Sequence, residues 1–104
     1  MKTPLKKWDN ADDRKDACIA VLKKILSDDH FRRDCLASDD FLRQALFEIG
    51  GIDVPGNVKV LLVPEGDFED AKQNHRGSQV LEVPPKGTPD DKLEAHILCT
   101  YAQW

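Results

Sequence analysis

The sequence predicts an α+β domain, and three observations carry that prediction. Apolar residues recur at helical spacing between residues 10 and 49. The pattern then changes to runs rich in β-branched residues at 57–63 and 79–83. Beyond them, Thr88-Pro89-Asp90-Asp91 has the form of a helix start: Thr as N-cap, Pro at the first helical position, acids in the first turn. The expected architecture is N-terminal helices at about 10–27, 29–37 and 39–49, a two-stranded ribbon at about 57–63 and 79–83, and a C-terminal helix at about 89–103.

Residues 1–9 read as a flexible arm, because Pro4 and the lysines show no periodicity. Trp8 either pins this arm to the body or is kept for a partner. In the first helix Cys18, Leu22, Ile25 and Leu26 form one apolar stripe. Asn10 is its expected N-cap. Asp12 and Asp13 then lie at the positive end of the helix dipole, and Lys23 and Lys24 near the negative end. Phe31 and Cys35 share a face of the second helix, with Leu36 beside them. Ser38 or Asp39 caps the third, whose stripe is Leu42, Ala45, Leu46 and Ile49. Gly50-Gly51 ends it, since glycine takes the left-handed conformation at little cost.

Val54-Pro55-Gly56-Asn57 is a turn cluster. Val58-Lys59-Val60-Leu61-Leu62-Val63 reads as a strand broken by Pro64-Glu65-Gly66-Asp67, and residues 67–77 read as a polar loop. Val80-Leu81-Glu82-Val83 is the second strand, stopped by Pro84-Pro85. Two strands alone are marginal in water, so they must pack on the helices or pair with something else. Leu93, Ile97, Tyr101 and Trp104 give the last helix one apolar face. The chain thus divides into an arm (1–9), an α+β domain (10–85), and a linker with a C-terminal helix or tail (86–104).

At 104 residues the chain supports one modest core. A net charge of −4, with basic pairs each diluted by nearby Asp, speaks against nucleic acid as a partner. No apolar run approaches the roughly 20 residues of a membrane span, and Met1–Trp8 lacks the apolar stretch of a secretory signal. Three widely spaced cysteines do not make a disulfide framework, which suits a reducing, cytoplasmic setting.

The catalytic inventory is short. His96 and Cys99 are the obvious base and nucleophile, three apart on the expected last helix, but no third partner accompanies them. The simpler reading is a surface histidine and a half-buried cysteine. Cys18 and Cys35 lie on apolar faces and read as small core hydrophobes. His30, His75 and His96 are scattered, no Cys-x-x-Cys or His-x-x-x-His occurs, and no metal or cofactor is expected. Asp28-Asp29, Asp39-Asp40 and Asp90-Asp91 each precede a predicted helix, where capping accounts for them. An enzyme is not expected; surface for partners remains. Candidates are the region of the second and third helices, the edges of the ribbon, and the tail.

Residues 31–63 include Phe31-Arg32-Arg33, Cys35-Leu36-Ala37-Ser38-Asp39, Ala45-Leu46, Glu48 and Gly51-Ile52-Asp53-Val54-Pro55-Gly56-Asn57-Val58-Lys59-Val60. Val80-Leu81-Glu82-Val83-Pro84-Pro85 and Thr88-Pro89-Asp90-Asp91-Lys92-Leu93-Glu94-Ala95 follow in order. Over about residues 18–95 this resembles the nitrile-hydratase-type leader peptides of ribosomally made, post-translationally modified peptides. Those leaders look like a shortened nitrile hydratase α subunit. The chain departs from them in lacking a Gly-Gly or Gly-Ala cleavage signal after Glu94-Ala95, where it continues His96-Ile97-Leu98-Cys99-Thr100-Tyr101-Ala102-Gln103-Trp104. It also lacks the Cys-(Ser/Thr)-Leu-Cys-Ser-Cys metal motif of the enzyme subunit.

The resemblance implies a non-catalytic leader or scaffold recognised by peptide-modifying enzymes. Phe31, Leu36, Leu42, Leu46, Ile52 and Val54 are then the residues expected to form either the fold or the partner-binding dock. Cys99, Thr100 and Trp104 are the expected modified tail: the first two are typical targets of dehydration or cyclisation, and the last suits a pathway in which a terminal residue is added and released. The competing reading packs Tyr101 and Trp104 on the core as a structural helix. Two other functions stand beside this one: a stand-alone nitrile-hydratase-like subunit assembling with a partner chain, and a small interaction module whose homo-oligomeric form would hide its strand edges in a dimer.

Overall fold

Three helices follow one another through shared single-residue junctions in the computed structural model, which describes residues 6–67 and 78–99. The first, α1 (Ala11–Ser27), is capped by Asn10, whose side-chain oxygen accepts the N–H groups of Asp12 and Asp13 at 3.0 and 3.1 Å. Asp28 ends α1 and caps α2 (Asp29–Ala37) by accepting the Phe31 N–H at 3.1 Å. Ser38 repeats the device. Its N–H donates back to the Asp34 carbonyl, and its hydroxyl accepts the Phe41 N–H to start α3 (Asp39–Glu48). Each cap satisfies an otherwise orphaned helix-end amide, so these short polar residues stop one helix and start the next.

The expected stripes form the core. Ala17, Cys18, Val21, Leu22 and Ile25 of α1, Phe31 and Cys35 of α2, and Leu42, Ala45 and Leu46 of α3 are buried in one cluster, with Leu26 partly buried against it. Ile49 departs from its predicted stripe and is exposed. Gly51 carries the left-handed conformation, φ 71°. Gly50 serves a different purpose: a Cβ there would lie 2.8 Å from the Ala17 Cβ, so its absence lets the end of α3 close on α1.

Residues 6–9 of the expected arm are anchored. The Lys6 N–H donates to the Gly51 carbonyl at 3.1 Å and its ammonium to the Gly50 carbonyl at 2.9 Å, in a one-residue parallel bridge with Ile52. Trp8 packs partly buried on the core. The Arg14 guanidinium lies over its ring and donates to its carbonyl. Residues 1–5 lie outside the described residues.

The α+β class holds, with two changes to its β half. First, β1 (Lys59–Val63) and β2 (Ser78–Glu82) run parallel, with Lys59 opposite Ser78 and Val63 opposite Glu82. A parallel pair needs a longer crossover than a hairpin; residues 64–77 make this connection, and 68–77 lie outside the described residues. Second, the expected helix at 89–103 is a 3-10 helix over Asp90–His96 followed by a third strand, β3 (Ile97–Cys99). The strand order is β1-β2-β3, with β3 antiparallel to β2. The ladder offered by β2 takes Ile97-Leu98-Cys99 out of the helical pattern, a tertiary override of local preference. Thr88 does not cap; its hydroxyl donates to the Pro85 carbonyl, and Pro89 at the cap position has no side-chain bond. Residues 100–103 of the expected helix, and Trp104, lie outside the described residues.

Val60, Leu62, Leu81 and Val83 join the helical core, together with Leu93 of the 3-10 helix. The domain thus continues past the boundary expected at residue 85. Leu61, Val63 and Val80 alternate with these along the strands and form a second cluster on the other face. Arg43 of α3 fixes the approach to β1. Its guanidinium donates to the Val54 and Pro55 carbonyls at 3.0 Å each, and also to the Val58 carbonyl. Among the described residues no helix is long and apolar enough to cross a membrane.

Candidate functional site

The chemistry-bearing groups converge where β2 ends and β3 begins. Successive side chains of a strand alternate in face, so Glu82 shares the face of Val80, away from the helices. The antiparallel register sets Leu81 opposite Ile97. One step further along, Glu82 meets His96. His96 Nδ1 lies 2.7 Å from a Glu82 carboxylate oxygen, with the two side chains 18% and 12% exposed. The second Glu82 oxygen accepts the N–H of Gly66, in the turn after β1, at 3.0 Å. One carboxylate therefore ties together the turn after β1, the end of β2 and the start of β3.

An ionised carboxylate only accepts hydrogen bonds, so Nδ1 is the donor and Nε2 is the ring nitrogen not committed to Glu82. Such a pair can hold a strand in register, or orient an imidazole for proton transfer. The expected surface histidine is thus a half-buried partner of Glu82. The helix expected to carry it together with Cys99 gives way to β3, where Cys99 is opposite Gln79, three register positions from Glu82. His96 is committed before the strand begins.

Five of the six expected docking residues are core. Leu42, Leu46 and Ile52 are 0% exposed, Val54 and Phe31 are buried beside them, and Phe31 meets Phe41 edge-on at 5.6 Å. They build the fold and offer no surface to a partner. Leu36, 38% exposed on α2, is the one that does. Of the expected tail, Cys99 lies on β3, an outer strand of the sheet; Thr100 and Trp104 lie outside the described residues. Cys18 and Cys35 are buried in the core. Burial, with a smaller contribution from Asp34, pushes the Cys35 thiol up to about 11, which keeps it protonated and unreactive.

A shallow groove runs between the end of α1, the start of α2 and the Val83–Lys86 segment. Ile25, Leu26, Val83 and Pro84 give it an apolar lining, and Arg32 and Lys86 pair loosely with Asp29 at 3.7 and 3.9 Å. Among the described residues no group of three His, Cys, Asp or Glu side chains is placed to hold a metal ion.

Spacing does not reveal the Glu82–His96 pair, because its members are 14 positions apart, separated by a proline-flanked turn and the 3-10 helix that His96 ends. Only the antiparallel register could have found it. Comparison with family models, with curated proteins and with solved structures gives no significant match to this chain.

Proposed function

We propose that this domain is a leader-type scaffold: a rigid α+β body that a peptide-modifying enzyme grips, presenting the segment that begins with β3 for modification. The single observation that carries the reading is the position of β3. Among the described residues it is an outer strand of three residues, paired to β2 on one side, and Cys99 and Thr100 follow one another in the sequence where it ends. An outer strand offers unpaired main-chain groups that a partner can engage by strand addition. Leu36 on α2 supplies an exposed apolar contact. Holding the tail on a docked body raises its effective concentration at an active site into the millimolar range when the link is short. The setting proposed is the cytoplasm, and no cofactor is assigned to the domain itself.

The test is co-expression of the full chain with any peptide-modifying enzymes found in its genomic neighbourhood, followed by intact and fragment mass spectrometry. The expected result is a mass change confined to residues 97–104, which disappears when the same tail is supplied as a free peptide. Equal modification of the free peptide would show that the body plays no part. A second reading is favoured by the outer position of β1 as well as β3: a self-associating interaction module that pairs edges between copies. Light scattering across the micromolar range separates the two, since the scaffold is monomeric alone and the module is not.

A further inference from the structure

We infer that the Glu82–His96 pair is a latch that fastens β3 to the sheet, and that its opening releases the Ile97–Cys99 segment while the helical body stays folded. The inference rests on the scaffold reading above and adds to it a control over when the modifiable segment is presented.

Three features make the release local. Leu93 is fully buried and anchors the 3-10 helix to the core, so the chain is held up to that point whatever happens beyond it. Past Leu93, β3 is fastened by three register pairs with β2 and by Ile97, which is only partly buried against the core. The Glu82–His96 contact sits at the hinge between these two regions and is the short, largely buried polar contact there. The neighbouring ion pairs of the 3-10 helix, Lys15–Glu94 and Lys23–Asp90, are exposed at 3.4 and 3.3 Å and add little.

The carboxylate is itself fixed. With one oxygen on the Gly66 N–H, Glu82 stays in place when His96 leaves, ready to take it back. A three-residue strand with this side-chain bond at its start has the makings of an order–disorder element, low in local stability and reversible. A partner that strips β3 from β2 breaks this contact, a short ladder and the partly buried packing of Ile97.

The experiment is amide hydrogen exchange on the full chain, comparing the native protein with His96→Ala, His96→Asn and Glu82→Gln. Asparagine places a side-chain N–H near the position of Nδ1, so it separates the bond from the ring. For His96→Ala, exchange at those amides of β3 that donate to β2 is expected to rise on the order of ten- to a hundredfold, the worth of a hydrogen bond to a charged group. Amides of α1, α2 and α3 stay at their native rates. Glu82→Gln gives a smaller rise at the same amides, and His96→Asn stays near native. A rise spread equally over the three helices would overturn the latch, because the pair would then be an ordinary stabiliser of the whole fold. No rise at β3, or His96→Asn as open as His96→Ala, would overturn it as well. This readout needs no partner. A latch without enzyme-dependent modification would sink only the scaffold reading, and modification without a latch would sink only this one.

Discussion

Replacing Arg43 with methionine removes one guanidinium and leaves three carbonyls to find other donors. Arg43 reaches from α3 across the turn before β1 to the carbonyls of Val54, Pro55 and Val58. The Pro55 carbonyl keeps a second donor, the Val58 N–H at 3.0 Å. Val54 and Val58 are themselves buried, so water replaces the lost donor poorly at their carbonyls. Hydrogen bonds to charged groups contribute about 1.5–3 kcal/mol each where desolvated. Arg43 is half-buried, and counting two bonds at the lower end gives a loss of about 3 kcal/mol. Methionine retains most of the aliphatic stem, so the packing term is small. For a domain of this size each kcal/mol shifts the melting temperature by roughly 4–8 °C, so a drop of more than about 10 °C is expected. Calorimetry and urea unfolding both read it. Arg43→Lys offers one point donor in place of a planar fork and should recover less than half of the loss. A methionine variant within about 0.5 kcal/mol of native, or full recovery by lysine, would refute the claim that the fork holds the turn onto α3.

Gly50→Ala should destabilise by about 1–3 kcal/mol, since the new Cβ would meet the Leu46 carbonyl oxygen at 2.6 Å and the Ala17 Cβ at 2.8 Å; urea midpoints read this. Asp28 is held below the usual carboxylate value chiefly by the Phe31 N–H it accepts, with Lys24 adding to the effect. Its contribution to stability is therefore present above the unfolded value of 3.8 and is lost as pH falls through the lower folded value. Asp28→Asn should flatten that acid limb of a stability–pH curve. Cys35 has the opposite sign: with its thiol raised from 9.0 to about 11, its contribution is complete below pH 9 and is lost as pH rises toward 11. Cys35 should resist iodoacetamide at pH 8 until urea unfolds the chain, and rapid labelling of the folded protein would contradict its burial. Leu36→Asp should leave stability within about 0.5 kcal/mol of native, because the side chain is exposed, yet reduce enzyme-dependent modification of the tail.

The sequence by itself determined the helical half. Asn10, Asp28 and Ser38 each act within three residues of themselves, and the stripes of α1, α2 and α3 repeat at a period that only a helix can turn to one side. The two strand segments were equally legible from their β-branched runs. Which of the apolar residues faced outward was not: Leu36 and Leu42 look alike in a sequence, and only the packing of α2 and α3 on the sheet exposes one and buries the other. The parallel run of β1 and β2, the conversion of Ile97–Cys99 to a strand, and the meeting of Glu82 with His96 were decided by tertiary structure alone. The physical reason is range. A helix closes its hydrogen bonds four residues away, whereas a ladder closes them with whatever strand the fold delivers, and here β2 delivered a partner that takes over from the helical turn at Ile97.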